Sequence, residues 1–139
     1  MTRVTKAVDS SVVTAAFASW HEHHVIARKA LATRPRLIAH AAIESCSVLT
    51  RLPPPHRAQP PIVHAFISER FAEPFLIPPE IGYQELLATL ATGHIPGGPA
   101  CDTLIAVTAT EHQATLVTLD RRASATYEAV GATVEQLAP

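Results

Sequence analysis

Long apolar runs are missing from this chain. No segment approaches the roughly 20 residues a membrane-spanning helix needs, and the opening residues show neither the apolar stretch nor the small-residue cleavage site of a secretory signal. The expectation is a cytoplasmic protein with no membrane anchor. Cysteine is scarce as well: Cys46 and Cys101 each lie in an apolar helical pattern, where a reduced thiol behaves as a small hydrophobe. Structural zinc ordinarily takes four ligands at tighter spacing, so neither a disulfide framework nor a zinc fold is indicated. The 11 basic and 12 acidic residues leave a net charge of −1 and no global field for a polyanion, so any nucleic acid must be held by a local basic patch or through metal. Charged residues are only 17 % against 47 % hydrophobic, which excludes a disordered chain, and 139 residues make one domain, 1–139, with a sizeable core.

Strand and helix signals alternate. Val4 to Val8 is a strand candidate that stops at Asp9-Ser10-Ser11, whose side chains can cap a helix beginning near Val12. His21-Glu22-His23-His24 opens a helical stretch through Leu31, closed by Arg34-Pro35, and Leu37 to Ala39 is a brief second strand. From His40 to Leu52 the row Ala41, Ser45, Val48, Leu52 predicts a helix with Glu44 at the edge of its buried stripe. Pro53-Pro54-Pro55 ends that helix and Pro60-Pro61 starts the next. Phe75 to Ile77 reads as a third strand. Pro78-Pro79 starts a helix that ends at Gly93, and Gly97-Gly98-Pro99 starts another to about His112. Thr115 to Leu119 is a fourth strand, Tyr127 to Val130 a short helix, and Thr133-Val134 a final edge strand. The alternation predicts an α/β fold, a three-layer α/β/α sandwich around a parallel sheet of four or five strands.

Four acids stand where an apolar core would not place them. Asp9 and Asp120 end strand-like runs, Glu44 sits in a helix of Ala, Ile, Val and Leu, and Asp102 interrupts an apolar helix start. In open α/β sheets ligands bind beyond the carboxyl ends of the strands, where Asp9 and Asp120 fall and where the following helices begin. With Gly98 as the cap, Asp102 is expected in the first turn, on one row with Ile105, Ala106 and Ala109. Taken alone, it could simply favour the helix dipole by ~0.3–1 kcal/mol. Two carboxylates about 5 Å apart at an effective dielectric of about 20 repel by roughly 3 kcal/mol, so a convergent set needs protonation or a cation. All-oxygen ligation suits Mg2+, and such a site suits phosphodiester hydrolysis.

Val8-Asp9-Ser10-Ser11-Val12, Glu44 ahead of Ser47-Val48-Leu49-Thr50-Arg51-Leu52-Pro53, the segment Gly97 to Ala106, and Leu116-Val117-Thr118-Leu119-Asp120-Arg121-Arg122-Ala123 occur in this order over nearly the whole chain. Together they resemble a PIN-domain ribonuclease, specifically a VapC-type toxin of a bacterial toxin–antitoxin pair. The resemblance implies a doubly wound α/β/α sandwich, an Mg2+- or Mn2+-dependent endoribonuclease, a homodimer, and inhibition by a VapB-like antitoxin. It implies Asp9, Glu44, Asp102 and Asp120 as the acidic site and Ser11 as a residue that orients Asp9. Some relatives carry a further acid two residues after the last aspartate; Arg122 stands there in this chain, which weakens the case for a second metal. Arg51, Arg57, Arg121 and Arg122 are candidate contacts to an RNA backbone, with solvated surface arginines as the simpler reading.

Other chemistries stay open on the residues alone. The histidines at 21 to 24 invite acid–base work, but they lack His-Glu-x-x-His spacing and also read as a surface or partner-contact helix with Trp20. A phosphohydrolase with Asp9 as nucleophile would want a second aspartate where Ser11 stands. A protein-binding module that keeps the fold without catalysis is the non-enzymatic alternative.

Overall fold

A computed structural model describes residues 4–137, apart from the side chain of Ile81. Strand β1 (Lys6–Val8) runs into α1 (Ser10–Phe17), which Asp9 caps by accepting from the Ser11 and Val12 amides. After α2 (His24–Ala32), strand β2 (Arg36–Leu37) leads into α3 (Ala39–Thr50), followed by α4 (Pro60–Arg70) with its prolines in the first turn, where a missing N–H costs nothing. Next come α5 (Glu80–Gly93), α6 (Gly97–Glu111), β3 (Thr115–Thr118), α7 (Arg121–Val130) and β4 (Val134–Gln136). The strands form one parallel sheet in the order β2-β1-β3-β4, with helices packed around it as an α/β sandwich.

Both inner strands are buried because helices cover them. Ala7, Val8, Leu116 and Val117 pack against Val12, Val13, Ala16, Ile105 and Ala106, and the many alanines let α1 and α6 approach the sheet closely. Leu116 has no exposed surface, and its truncation to alanine should cost about 2–5 kcal/mol. Among the described residues no helix is long and apolar enough to cross a membrane.

Several local expectations shift. The strand expected over Phe75 to Ile77 reduces to a single parallel bridge between Leu76 and Ile38, held by Leu76 N–H to Leu37 O at 2.8 Å and Ala39 N–H to Leu76 O at 2.9 Å. Pro74 and Pro78 flank it and deny the ladder its next donors. Ala39 belongs to α3 rather than to the second strand, α7 starts at Arg121 well before Tyr127, and β4 extends to Gln136. The buried stripe of α3 is Ala41, Ala42, Ser45 and Leu49, so the row runs through Leu49 and leaves Val48 half-buried. Because α6 begins at Gly97, Asp102 lies in the second turn, one turn deeper than expected.

Candidate active site

The register between β1 and β3 pairs Val8 with Val117, which sets Asp9 beside Thr118 as the two strands end. Asp9 is 3 % exposed, and both its oxygens are engaged. Oδ1 accepts from the Ser11 amide (3.1 Å), the Ser11 hydroxyl (2.5 Å) and the Val12 amide (3.4 Å). Oδ2 accepts from the Thr118 hydroxyl (2.5 Å) and the Tyr127 hydroxyl (2.8 Å). Burial pushes the carboxyl above the usual range, and the hydrogen bonds from Ser11, Thr118, Tyr127 and Val12 pull against it. Burial and the neighbouring Asp9 likewise raise Tyr127 far above an ordinary phenol, so its hydroxyl keeps its proton and serves as a donor.

Asp120 caps α7, its Oδ1 accepting from the Arg122 and Ala123 amides. The Leu119 amide donates to Ser11 Oγ (2.9 Å), so one hydroxyl ties the turn after β3 to the start of α1. Asp102 reaches the same end of the sheet from α6, its side chain 13 % exposed. Burial raises its pKa, opposed by the Arg122 guanidinium and reinforced by Asp120 and Asp9. Glu44 projects from the second turn of α3; burial raises it too, with His40 opposing and Asp102 and Asp9 adding repulsion. All four carboxylates thus gather beyond the carboxyl ends of the strands, where Asp102 feels Asp9 and Asp120, and Glu44 feels Asp102 and Asp9.

Arg122 was offered by the sequence as a phosphate contact, and here it spans two acids instead. Its Nη1 lies 3.5 Å from Asp102 Oδ2 and its Nη2 3.7 Å from Asp120 Oδ2. Arg121 is exposed beside it. Arg51 and Arg57 are not brought to the acids: Arg51 caps the far end of α3, seven residues or about 10 Å along the axis from Glu44. Arg57 lies in the loop beyond, its Nε donating to Leu52 O at 2.8 Å. The histidines at 21 to 24 follow the C-terminus of the eight-residue α1, about 12 Å from the Asp9 cap at its N-terminus. There the His24 ring bonds the Ala15 carbonyl and Trp20 stacks on His56 with ring centroids 4.2 Å apart. A large cleft lined by Lys6, Arg34, Arg36, Glu69 and Arg70 opens at the opposite end of the strands and has no part in this cluster.

The donor set fits a hard divalent cation. It is all carboxylate oxygen, burial raises Asp9, Glu44 and Asp102 with neighbouring acids adding repulsion at Glu44 and Asp102, and Asp102 Oδ2 is buried without a hydrogen-bond partner among the described residues. Glu44 also makes no hydrogen bond among the described residues, and Asp120 Oδ2 faces only the Arg122 guanidinium at 3.7 Å, whereas Asp9 would have to release a hydroxyl to ligate directly.

The PIN domain family model matches residues 6–129. The chain belongs to the PIN-domain family. It is 45 % identical over 129 residues to Ribonuclease VapC40 of Mycobacterium tuberculosis, covering 93 % of this chain and 96 % of that protein. It is also 40 % identical over 126 residues to Ribonuclease VapC27 of the same organism, covering 90 % and 91 %. Within this PIN domain the sequence reading missed Thr118, Tyr127, His40 and Cys101. Tyr127 left a usable signal: it sits four residues after Ala123 on the buried face of α7, and a buried phenol needs a partner. Thr118 becomes visible only through the β1–β3 register, and the approach of Cys101 to α3 only through the fold.

Proposed function

We propose that this PIN domain is a VapC-type, metal-dependent endoribonuclease, the toxin of a toxin–antitoxin pair, hydrolysing RNA phosphodiester bonds with Mg2+ or Mn2+. The observation that carries the reading is the meeting of Asp9, Glu44, Asp102 and Asp120 at the carboxyl end of the sheet, in a chain 45 % identical to a protein named a ribonuclease. Asp102, Glu44 and Asp120 would hold the cation, with Asp9 adding its charge from beneath. A bound divalent ion supplies polarisation of the phosphate and a more acidic water. Asp9 is positioned by Ser11, Thr118 and Tyr127, which leave its carboxylate a single orientation. Glu44, raised by burial and by Asp102, is placed to accept a proton from the attacking water. That same enclosure of Asp9 disfavours its service as a nucleophile toward phosphate, since neither oxygen has a clear line of attack.

Exposed apolar side chains support the partners. Ile62 on α4 and Tyr83 and Leu87 on α5 lie on the surface, available to a VapB-like antitoxin or to the second subunit of a homodimer. The test is cleavage of short RNAs by the purified chain, with end mapping. EDTA should abolish cleavage and Mn2+ or Mg2+ should restore it. Asp102→Asn and Glu44→Gln should lose at least about 100-fold while remaining folded. Undiminished cleavage in EDTA, or by both variants, would refute the metal mechanism.

A further inference from the structure

Beside the carboxylate cluster lies a donor set of different chemistry. His40 and Glu44 are four residues apart on α3 and share a face, with His40 Nε2 4.0 Å from Glu44 Oε1. Across from them α6 presents Cys101, and one ligating atom from each of the three lies within 4.8 Å of the others. His40 Nε2 is itself buried and has no hydrogen-bond partner among the described residues. A shielded ring nitrogen without a partner is costly, and it faces a carboxylate and a thiol that a single ion could join.

We propose that His40, Glu44 and Cys101 form a second metal site, selective for a borderline transition-metal cation such as Zn2+, and that filling it withdraws Glu44 from the hard-cation cluster and inhibits the enzyme. The inhibitory half rests on the nuclease reading above; the binding half does not. Imidazole and thiolate prefer zinc-like ions to Mg2+, whereas the neighbouring all-oxygen cluster has the opposite preference. Zinc bonds sulfur at about 2.3 Å and nitrogen at about 2.0–2.1 Å, so tetrahedral ligands stand roughly 3.3–3.8 Å apart. The observed spread therefore needs about 1 Å of closure, within the reach of side-chain rotation. Three protein ligands leave a fourth position for water. On binding, the Cys101 Sγ–H bond breaks, the sulfur gives its electron pair to the metal, and the proton leaves to solvent. Cys46, on the inward side of α3, is no part of this set.

Co2+ serves as the spectroscopic probe, titrated into the full chain with no RNA present. The expected result is tetrahedral d–d bands and a thiolate-to-cobalt charge-transfer band in the wild type, both displaced by Zn2+. Cys101→Ser should abolish the charge-transfer band, and His40→Ala should weaken binding by more than about tenfold. Cys46→Ser should keep the band, and circular dichroism verifies that each variant is folded. A wild type without the band, or a band that survives Cys101→Ser, overturns the site. In a second arm, equimolar Zn2+ should suppress Mn2+-supported RNA cleavage in the wild type, and suppress it much less in Cys101→Ser relative to that variant's own zinc-free rate. Equal suppression in both overturns the inhibitory half. The charge-transfer band in a chain that cleaves no RNA would uphold the site and reject the nuclease reading alone.

Discussion

Removing a positive charge from this site should strengthen its hold on a divalent cation, because Arg122 occupies the space between two of the acids that would bind it. The guanidinium lies 3.5 Å from Asp102 and 3.7 Å from Asp120. In water each such pair is worth about 1 kcal/mol, and exposed pairs measure about 0–1 kcal/mol. The Arg122 side chain is 66 % exposed, so the screened end of that range applies, and breaking both contacts together costs about 0.5–1 kcal/mol. Arg122→Gln should therefore raise Mn2+ affinity by roughly 2- to 5-fold at low salt, with a smaller gain at high salt. Calorimetric or electron-spin-resonance titration of the metal-free protein measures this without RNA. Arg121→Gln is the control: it removes the same formal charge from the adjacent exposed position, and its effect should fall within about twofold after screening. The reasoning is refuted if Arg122→Gln binds Mn2+ no more tightly than wild type while retaining its fold, or if the two substitutions act alike.

Tyr127→Phe deletes a 2.8 Å hydrogen bond to a buried carboxylate and should lower stability by about 1.5–3 kcal/mol, seen as a lower urea midpoint at constant slope. A loss below about 0.5 kcal/mol would mean that Asp9 does not depend on that donor. Ser11→Ala removes one donor to Asp9 and strands the Leu119 amide, so it should cost about 1–3 kcal/mol, and Ser11→Thr should recover part of it. Asp9, Glu44 and Asp102 all have raised folded-state pKa values, so the folded protein binds protons more tightly than the unfolded chain. The stability they contribute is full below the ordinary carboxylate range near pH 4 and is lost as pH rises through their raised values. Melting in EDTA should show this decline, Mn2+ should offset it, and Asp102→Asn should flatten it; a decline of equal slope in Asp102→Asn would contradict the assignment.

The acids stand out in the sequence because each breaks an apolar pattern, and strand ends together with helix starts direct them toward one edge of the sheet. What stayed hidden depended on lateral register and on helix rotation. Thr118 looks like an ordinary β-branched strand residue until β1 lies beside β3 and sets it against Asp9. Arg122 looked free because local spacing says nothing about α6, whose second turn brings Asp102 within its reach. His40 and Cys101 lie on helices distant in sequence, and no short-range rule pairs them. The misread strand at Phe75 to Ile77 has a different origin: apolar residues predicted pairing, while the flanking prolines withhold donors and confine it to Leu76.

The four carboxylates have unequal standing. Asp9 is neutralised from within, by two amides and three hydroxyls, and the fold itself stabilises its position whether or not an ion is present. Glu44 and Asp102 have weaker protein partners: a histidine at 4.0 Å for the first, an exposed arginine at 3.5 Å for the second. An incoming cation gains most where charge is least satisfied, so affinity should be carried chiefly by Asp102 and Glu44, whereas Asp9 should matter most for keeping the strand ends in place. Asp9→Asn should then lose stability as well as function, because an amide meets Ser11, Thr118 and Tyr127 with less charge and one oxygen fewer. Asp102→Asn should lose metal affinity with little loss of stability, or even a gain near neutral pH, where it relieves repulsion. If the two variants lost metal affinity and stability in the same proportion, this division between a scaffolding acid and binding acids would be wrong.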